Sequence, residues 1–374
     1  MLCSSIQCRR TLNTQRNNSV VNKNQRVSQG VAKQMKKICI INTGGTIGMA
    51  AGPDGLRPEA GFIEKQLALM PELNNPSMPQ IAVQEYDPVI DSSNIQIADW
   101  LKLAGDIARQ YDQFDGFVVM HGTDTMAYTA SALPFMLRGL GKPVILTGSQ
   151  LPLGEVRNDA RENLKTAIIL AAQYVIPEVC IYFGDQLLRG CRATKCSASS
   201  FNAFSSPNYP PLGTAGTELE VFQDRVRQVP QVVNGLKVES LQQQEIATFR
   251  LFPGVSVEVL ENVLQRPLKA LILESFGDGN GPACHRGFVE CIRQACQAGI
   301  VILNLSQCSH GSIRQTAYET GTVLQKAGVV SGHDMTVEAA LAKLMYLFTR
   351  DLSAEDVKTE LQRNLVGELT ETVT

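Results

Sequence analysis

Four hydroxyl side chains stand just after strand-like runs: Thr46, Ser92, Ser93 and Thr123. The first follows the apolar run Ile38–Ile41 and lies in Thr43-Gly44-Gly45-Thr46-Ile47-Gly48. Glycine permits positive φ and lets backbone approach a ligand closely. Open α/β sheets place their chemistry at the C-terminal ends of their strands, so Thr46 is the candidate nucleophile. A threonine hydroxyl is weak at its own pKa and needs a base. No histidine is placed by the sequence to serve. Asp124, beside Thr123, and Lys195 are the alternative: a buried carboxylate holds an amine near a hydroxyl, and a desolvated lysine releases its proton. Taken singly, Asp124 also reads as a helix cap, Lys195 as a solvated charge and Gly44-Gly45 as a plain turn.

Two other glycine-loop chemistries are set aside by spacing. The segment lacks the G-x-G-x-x-G of a dinucleotide site, and no Gly-Lys-Ser/Thr follows for a phosphate loop. Composition narrows the field further. The chain has 374 residues, room for two domains, and a formal net charge of −2, which gives no reason to expect nucleic acid or an anionic membrane as partner. No apolar run nears the roughly 20 residues of a spanning helix. Ten cysteines and four histidines show no metal-ligand spacing, so a metal centre is not expected and the thiols read as reduced and mostly buried.

The elements that must position these residues alternate. Strands are expected at Ile38–Ile41, Ile81–Tyr86, Phe117–Met120, Pro143–Leu146 and Val179–Phe183. Helices are expected at Ala98–Tyr111, Thr125–Leu137 and Asn158–Tyr174, with polar loops at Asp87–Asn94 and after Gly48. Strand-loop-helix repetition means a parallel sheet with helices on its faces. Regularity breaks between Pro207 and Gln243. A second α/β unit follows, with strands Ile246–Leu251, Ala270–Leu273 and Ile300–Leu305 and helices Ser256–Gln265, His285–Ala298 and Met335–Phe348. The expected division is a larger N-terminal α/β domain over 36–215, a linker over 216–243 and a smaller C-terminal α/β domain over 244–374. Residues 1–35 are basic and acid-free; they read as a disordered extension, as weakly similar to an organelle transit peptide, or as sequence ahead of a start at Met35.

Thr43-Gly44-Gly45-Thr46-Ile47-Gly48 together with His121-Gly122-Thr123-Asp124-Thr125 resembles the double signature of the bacterial-type L-asparaginase family, from about Lys36 to Leu369. Asp91-Ser92-Ser93, Met120–Ala132, Thr147-Gly148-Ser149-Gln150 and Thr194-Lys195 make it most similar to the type I, cytoplasmic branch. The resemblance implies that Thr46 attacks the side-chain amide of L-asparagine and forms an acyl-enzyme, releasing ammonia. Thr123, Asp124 and Lys195 would move protons and serve deacylation, while Asp91, Ser92, Ser93, Thr123 and Asp124 would hold the substrate's α-groups. It implies no cofactor, and a homodimer or homotetramer in which a neighbouring subunit borders the site.

Two departures from the family pattern stand out. Leu56 occupies the mobile-loop position where many relatives have a tyrosine; Tyr318 is the candidate to replace it, with Tyr86 and Tyr128 behind it. Glu274 stands where the allosteric type I enzyme has an arginine, while Thr194, Ser306, Gln307 and Cys308 resemble the rest of that effector site. Asparagine-driven activation is therefore not expected. Two alternative readings are a tRNA-dependent amidotransferase subunit, which usually has an extra folded domain, and a catalytically silent asparagine-binding protein. The intact Thr46, Thr123, Asp124 and Lys195 weigh against the second.

Overall fold

The computed structural model describes residues 35–52, 55–58, 61–228, 235–314 and 319–371. The expectation for 1–35 therefore lies, apart from Met35, outside the described residues. Met35–Thr374 form one contiguous unit built on two sheets. The larger has eight strands in the order Leu219–Val221, Gly213–Ala215, Gln186–Arg189, Val179–Phe183, Val144–Thr147, Gly116–Met120, Lys37–Gly44 and Gln80–Ile90. The last five of these run parallel. The other three are antiparallel, an edge that strand-helix alternation did not announce. They arise because Val179–Phe183 turns straight back at Gly184, whose φ is 65°, with no crossover helix between. Leu219–Val221 pairs within this sheet, so the sheet runs past residue 215.

Burial follows the pleat. Along Lys37–Gly44, Cys39 and Ile41 join one core while Ile38 and Ile40 join the other. Strands covered on both faces read as continuous apolar runs. Helices Ile97–Gln110, Met126–Met136 and Val337–Thr349 contribute to the first core, Ala160–Gln173 to the second. On Ile97–Gln110 the buried Trp100, Leu103, Ala104 and Ile107 fall at helical spacing.

The smaller sheet is parallel, in the order Ile246–Arg250, Ala270–Ser275, Val301–Ser306 and Val330–Ser331. Its strands Ala270–Ser275 and Val301–Ser306 send Ile272 and Leu303 into the same core as Ala340 and Leu344 of Val337–Thr349. This helix thus links the smaller sheet to helix Met126–Met136, with which it shares that core.

Two segments depart from expectation. Asp87–Ile90 is strand rather than loop: the pairing of Lys37–Gly44 slips between Asn42 and Gly44, and Gly44 takes Ile90 as partner. The residues after Gly48 form a hairpin, Met49–Gly52 with Gly55–Pro58. The thiols divide: Cys39, Cys180, Cys191 and Cys291 are buried, while Cys196, Cys284 and Cys308 are exposed. No described helix is long and apolar enough to cross a membrane.

The C-terminal segment closes the fold through buried charge. Lys343 and Glu368, both fully buried, pair at 2.7 Å. Lys343 also donates to the Leu361 carbonyl at 3.0 Å, and Glu368 accepts from the backbone of Leu365 and Val366. Removing one partner of such a pair strands a charge in the core. Glu368→Ala is expected to cost about 3–5 kcal/mol in urea unfolding. The double change Glu368→Leu with Lys343→Met should recover part of that loss. A double variant no more stable than Glu368→Ala would show that the stranded charge was not the cause.

Candidate active site

The first loop is shaped by backbone crowding. Gly45 has φ 91°, and a Cβ there would lie 2.3 Å from the Gly122 nitrogen. A Cβ on Gly122 would in turn lie 2.4 Å from Ser92 Oγ. Three loops from three strand ends therefore meet with no room for a side chain at Gly45 or Gly122. Thr43 Oγ1 donates to the Met120 carbonyl at 2.8 Å and ties two of the strand ends together. Thr46 opens a 3-10 turn, Thr46–Gly48, and is half-buried.

The third loop is an Asx turn. Asp91 Oδ1 accepts from the Ser93 N–H at 3.0 Å, and Thr125 Oγ1 donates to the Ser92 carbonyl at 2.7 Å. Ser92 is buried; Asp91 and Ser93 are exposed.

In the second loop, Lys195 Nζ donates to Thr123 Oγ1 at 2.9 Å and to Asp124 Oδ1 at 2.7 Å. Residues 72 and 71 positions apart in the chain are thus one hydrogen-bonded cluster. Asp124 does not cap the helix that follows: Met126–Met136 has Thr125 at its N-cap and no side-chain cap bond. The expectation of a buried Asp–Lys pair needs correcting, because the Asp124 side chain is 65% exposed and that of Lys195 20%. A loop carboxylate is buried only by what packs over it, and nothing in the described chain does so fully. Such a pair adds little to stability, which leaves its geometry to be explained by something other than folding.

Lys195 is held from helix Val337–Thr349. Its neighbour Thr194 donates from Oγ1 to Glu338 Oε1 at 2.7 Å. Burial pushes the Glu338 carboxyl above the usual carboxylate range, and the charge of Glu274 pushes it the same way. Three residues before Lys195, the buried Arg192 guanidinium lies 2.9 Å from Asp334 and donates to the Gly367 carbonyl at 2.8 Å.

Thr194, Glu274, Ser306, Gln307 and Cys308 line one cavity of about 270 Å³, joined by Arg250 and Glu338. The sequence reading missed both additions. Arg250 sits opposite Glu274 in parallel register and donates to its Oε2 at 3.0 Å. A guanidinium therefore does reach this cavity, from the adjacent strand, where it is paired with Glu274.

Of the tyrosines considered, Tyr86 donates its hydroxyl to Asp106 at 2.7 Å and is buried. Tyr128 is half-buried, its hydroxyl pKa pushed up by burial and by Glu338 and Glu274. Tyr318 lies outside the described residues. Leu56 is in the hairpin strand Gly55–Pro58, opposite Ala51.

Two family models match the chain: "Asparaginase, N-terminal" over residues 37–227 and "Glutaminase/Asparaginase C-terminal domain" over residues 245–361. The chain belongs to the asparaginase family. It is 47% identical to L-asparaginase 1 of Escherichia coli K12 over 337 residues, 90% of this chain and 99% of that protein. It is 42% identical to the human 60 kDa lysophospholipase, over 90% of this chain and 62% of that protein. Its fold matches the crystal structure of L-asparaginase I from Vibrio cholerae with a TM-score of 0.83 and 48% identity, over 90% of this chain and 99% of that one. Within the family signature, His121 is the residue the sequence left without a role. Burial pushes its pKa down to about 4, the Gly122 carbonyl pulling weakly the other way.

The native His121 ring thus stays neutral where the same histidine in an unfolded chain, with a pKa near 6.5, takes a proton. Between about pH 6.5 and pH 4 the unfolded state binds more protons, so stability falls as pH drops through that window. The gap is worth about 3 kcal/mol. In urea unfolding across this range, His121→Asn is expected to lose less stability than the wild type by about that amount. Parallel curves would mean that the buried ring takes up its proton without penalty.

Proposed function

We propose that this protein is an L-asparaginase, converting L-asparagine and water to L-aspartate and ammonia. The observation that carries the proposal is the Lys195 amine shared between Thr123 and Asp124, in a loop whose Gly122 packs against the Gly45 backbone beside Thr46. Thr46 Oγ attacks the amide carbon of the substrate side chain. Ammonia leaves with the proton given up by Thr46, and an ester remains on Thr46. Water then adds to that ester carbon, the bond to Oγ breaks, and Thr46 regains a proton. Thr123, Asp124 and Lys195 handle these proton movements, and backbone N–H groups near Thr123 stabilise the oxyanion. Ser92 and Ser93, placed by Asp91, hold the α-carboxylate. Asp124, whose Oδ1 takes Lys195, offers its other oxygen to the α-ammonium.

Three further parts belong to the same reading. Tyr318 takes the activating place that Leu56 leaves vacant. The active form is a homodimer or homotetramer, supported by the exposure of Asp124 in the single chain. The enzyme acts in the cytoplasm, as a type I family member.

Ammonia release from asparagine and from glutamine tests the assignment. Thr46→Ala is expected to abolish turnover with the thermal midpoint unchanged. Thr123→Val, Asp124→Ala and Lys195→Met should each remove most activity, and pairs of them should cost little more than the worst single change, as expected of groups that act as a unit. Tyr318→Phe should lower kcat. Multiplicative losses in the pairs would separate the three roles, and substantial residual activity in Thr46→Ala would remove it as nucleophile.

The cavity beside Thr194 generates an expectation about regulation. Arg250, the guanidinium that lines this cavity among the described residues, is already paired with Glu274, so an effector's carboxylate would have to compete with that acid for the strongest contact that would favour one state over another. Initial rate against asparagine concentration should be hyperbolic. Sigmoidal curves that become hyperbolic in Thr194→Val would show that an effector binds there after all.

A further inference from the structure

We infer that His121 is a positioning residue: with Thr129 and Trp100 behind it, its ring fixes the Gly122–Thr123 peptide so that the Thr123 N–H faces the reacting carbonyl. The inference rests on the proposed Thr46 chemistry and assigns to side chains what that chemistry asks of a backbone group.

The loop has a weakness built into it. Residue 122 must be glycine, since any Cβ would collide with Ser92 Oγ. Glycine is also the residue whose flanking peptides rotate most freely. The close approach that brings the loops together therefore leaves the next peptide without a steric brake. The His121 ring supplies one. Its Nδ1 lies 2.7 Å from the Gly122 carbonyl oxygen. A carbonyl only accepts, so Nδ1 carries the proton and donates. In a trans peptide the C=O and N–H point in opposite directions. With the Gly122 carbonyl turned to a ring that is 1% exposed, the Thr123 N–H is turned away from the core and towards the open side of the loop.

The tautomer is fixed from behind. Nε2, left as the acceptor, lies 2.8 Å from Thr129 Oγ1. That oxygen already accepts the Trp100 indole N–H at 2.8 Å. An indole N–H only donates, so the Thr129 proton is free to point at Nε2. The bonds then run in one direction, Trp100 to Thr129 to His121 to the Gly122 carbonyl. Trp100 comes from helix Ile97–Gln110 and Thr129 from Met126–Met136, both buried at these points. The His121 backbone N–H donates to the Thr147 carbonyl at 2.9 Å, which anchors the ring's own base.

The test compares two amides. In His121→Asn the side-chain N–H₂ falls near the position of Nδ1 and keeps the donor; in His121→Gln it falls near Nε2 and loses it. For asparagine hydrolysis, His121→Asn is expected to stay within about tenfold of wild type. His121→Gln should lose about 10²-fold in kcat with KM little changed, the signature of a donor used only in the transition state. Thr129→Val, which keeps side-chain shape, should lower kcat by less. Equal kcat in the Asn and Gln variants, a loss seen in KM instead, or wild-type kcat in Thr129→Val would overturn the inference. Long-range ¹H–¹⁵N spectra of the wild-type protein, which need no turnover, should show His121 protonated at Nδ1. A proton at Nε2 would overturn the inference whatever the substrate proves to be. Absence of asparagine turnover in the wild type, with the Nδ1 proton present, would fault the functional assignment alone.

Discussion

At Gly45, Gly122 and Ser92, three loops press together so closely that a single added methyl collides at 2.4 Å or less. This contact decides how near the Thr46 hydroxyl comes to the Thr123 loop, and it depends on sheet register. Lys37–Gly44 lies between Gln80–Ile90 and Gly116–Met120, all parallel, so their C-terminal ends emerge side by side. The slip that pairs Gly44 with Ile90 carries the third loop onto the first. Parallel strands place loops at a common edge as a matter of topology. Only the glycines turn that neighbourhood into close contact.

The C-terminal half of the chain takes part in the same site without entering it. Thr194 reaches Glu338, Arg192 reaches Asp334 and Gly367, and Asn208 Nδ2 donates to the Asp334 carbonyl at 3.1 Å. The chain from Arg192 to Asn208, which carries Lys195, is therefore fastened at several points to the segment from Asp334 to Gly367. A lysine has four rotatable bonds and places its amine poorly unless its backbone is held. Here the holding is done by buried groups of the second half of the chain, which gives that half a physical role in placing the Lys195 amine.

What the sequence made legible was local. Glycines after an apolar run, hydroxyls after strands and the alternation of elements led to Thr46, Thr123, Asp124 and the two-sheet plan. Lys195 was nominated as the amine that Asp124 would hold, but singly it read equally as a solvated charge, since nothing within ten residues marks it. Arg250 and Glu338 were missed because their meaning lies in register and packing: Arg250 faces Glu274 only through the pairing of two strands 24 residues apart, and Glu338 is an ordinary-looking acid on a helix. The antiparallel edge was missed because a two-residue reversal at Gly184 leaves no compositional trace beyond one glycine. Asp124 was expected to be buried because charge in a buried cluster is the usual route to a shifted lysine. Its exposure shows that loop burial is decided by distant parts of the fold.

The placement of charge separates folding from chemistry. The deep pairs, Lys343 with Glu368 and Arg189 with Glu178, are 0% to 6% exposed, and each has backbone partners that satisfy its remaining valences. Such pairs hold a unique arrangement at a desolvation cost already met during folding. Lys195 and Asp124 are arranged the other way, with the amine half-sheltered and the carboxylate in water. In that setting the attraction between the amine and the carboxylate is screened, while the same amine also donates to the Thr123 hydroxyl. Whatever covers Asp124, substrate or neighbouring surface, removes that screening and strengthens every interaction in the cluster together. The neutral His121 network beneath the loop is unaffected by such covering, because it is dry from the start. The site thus combines a fixed, uncharged frame with a charged cluster whose strength is set at the moment it is closed.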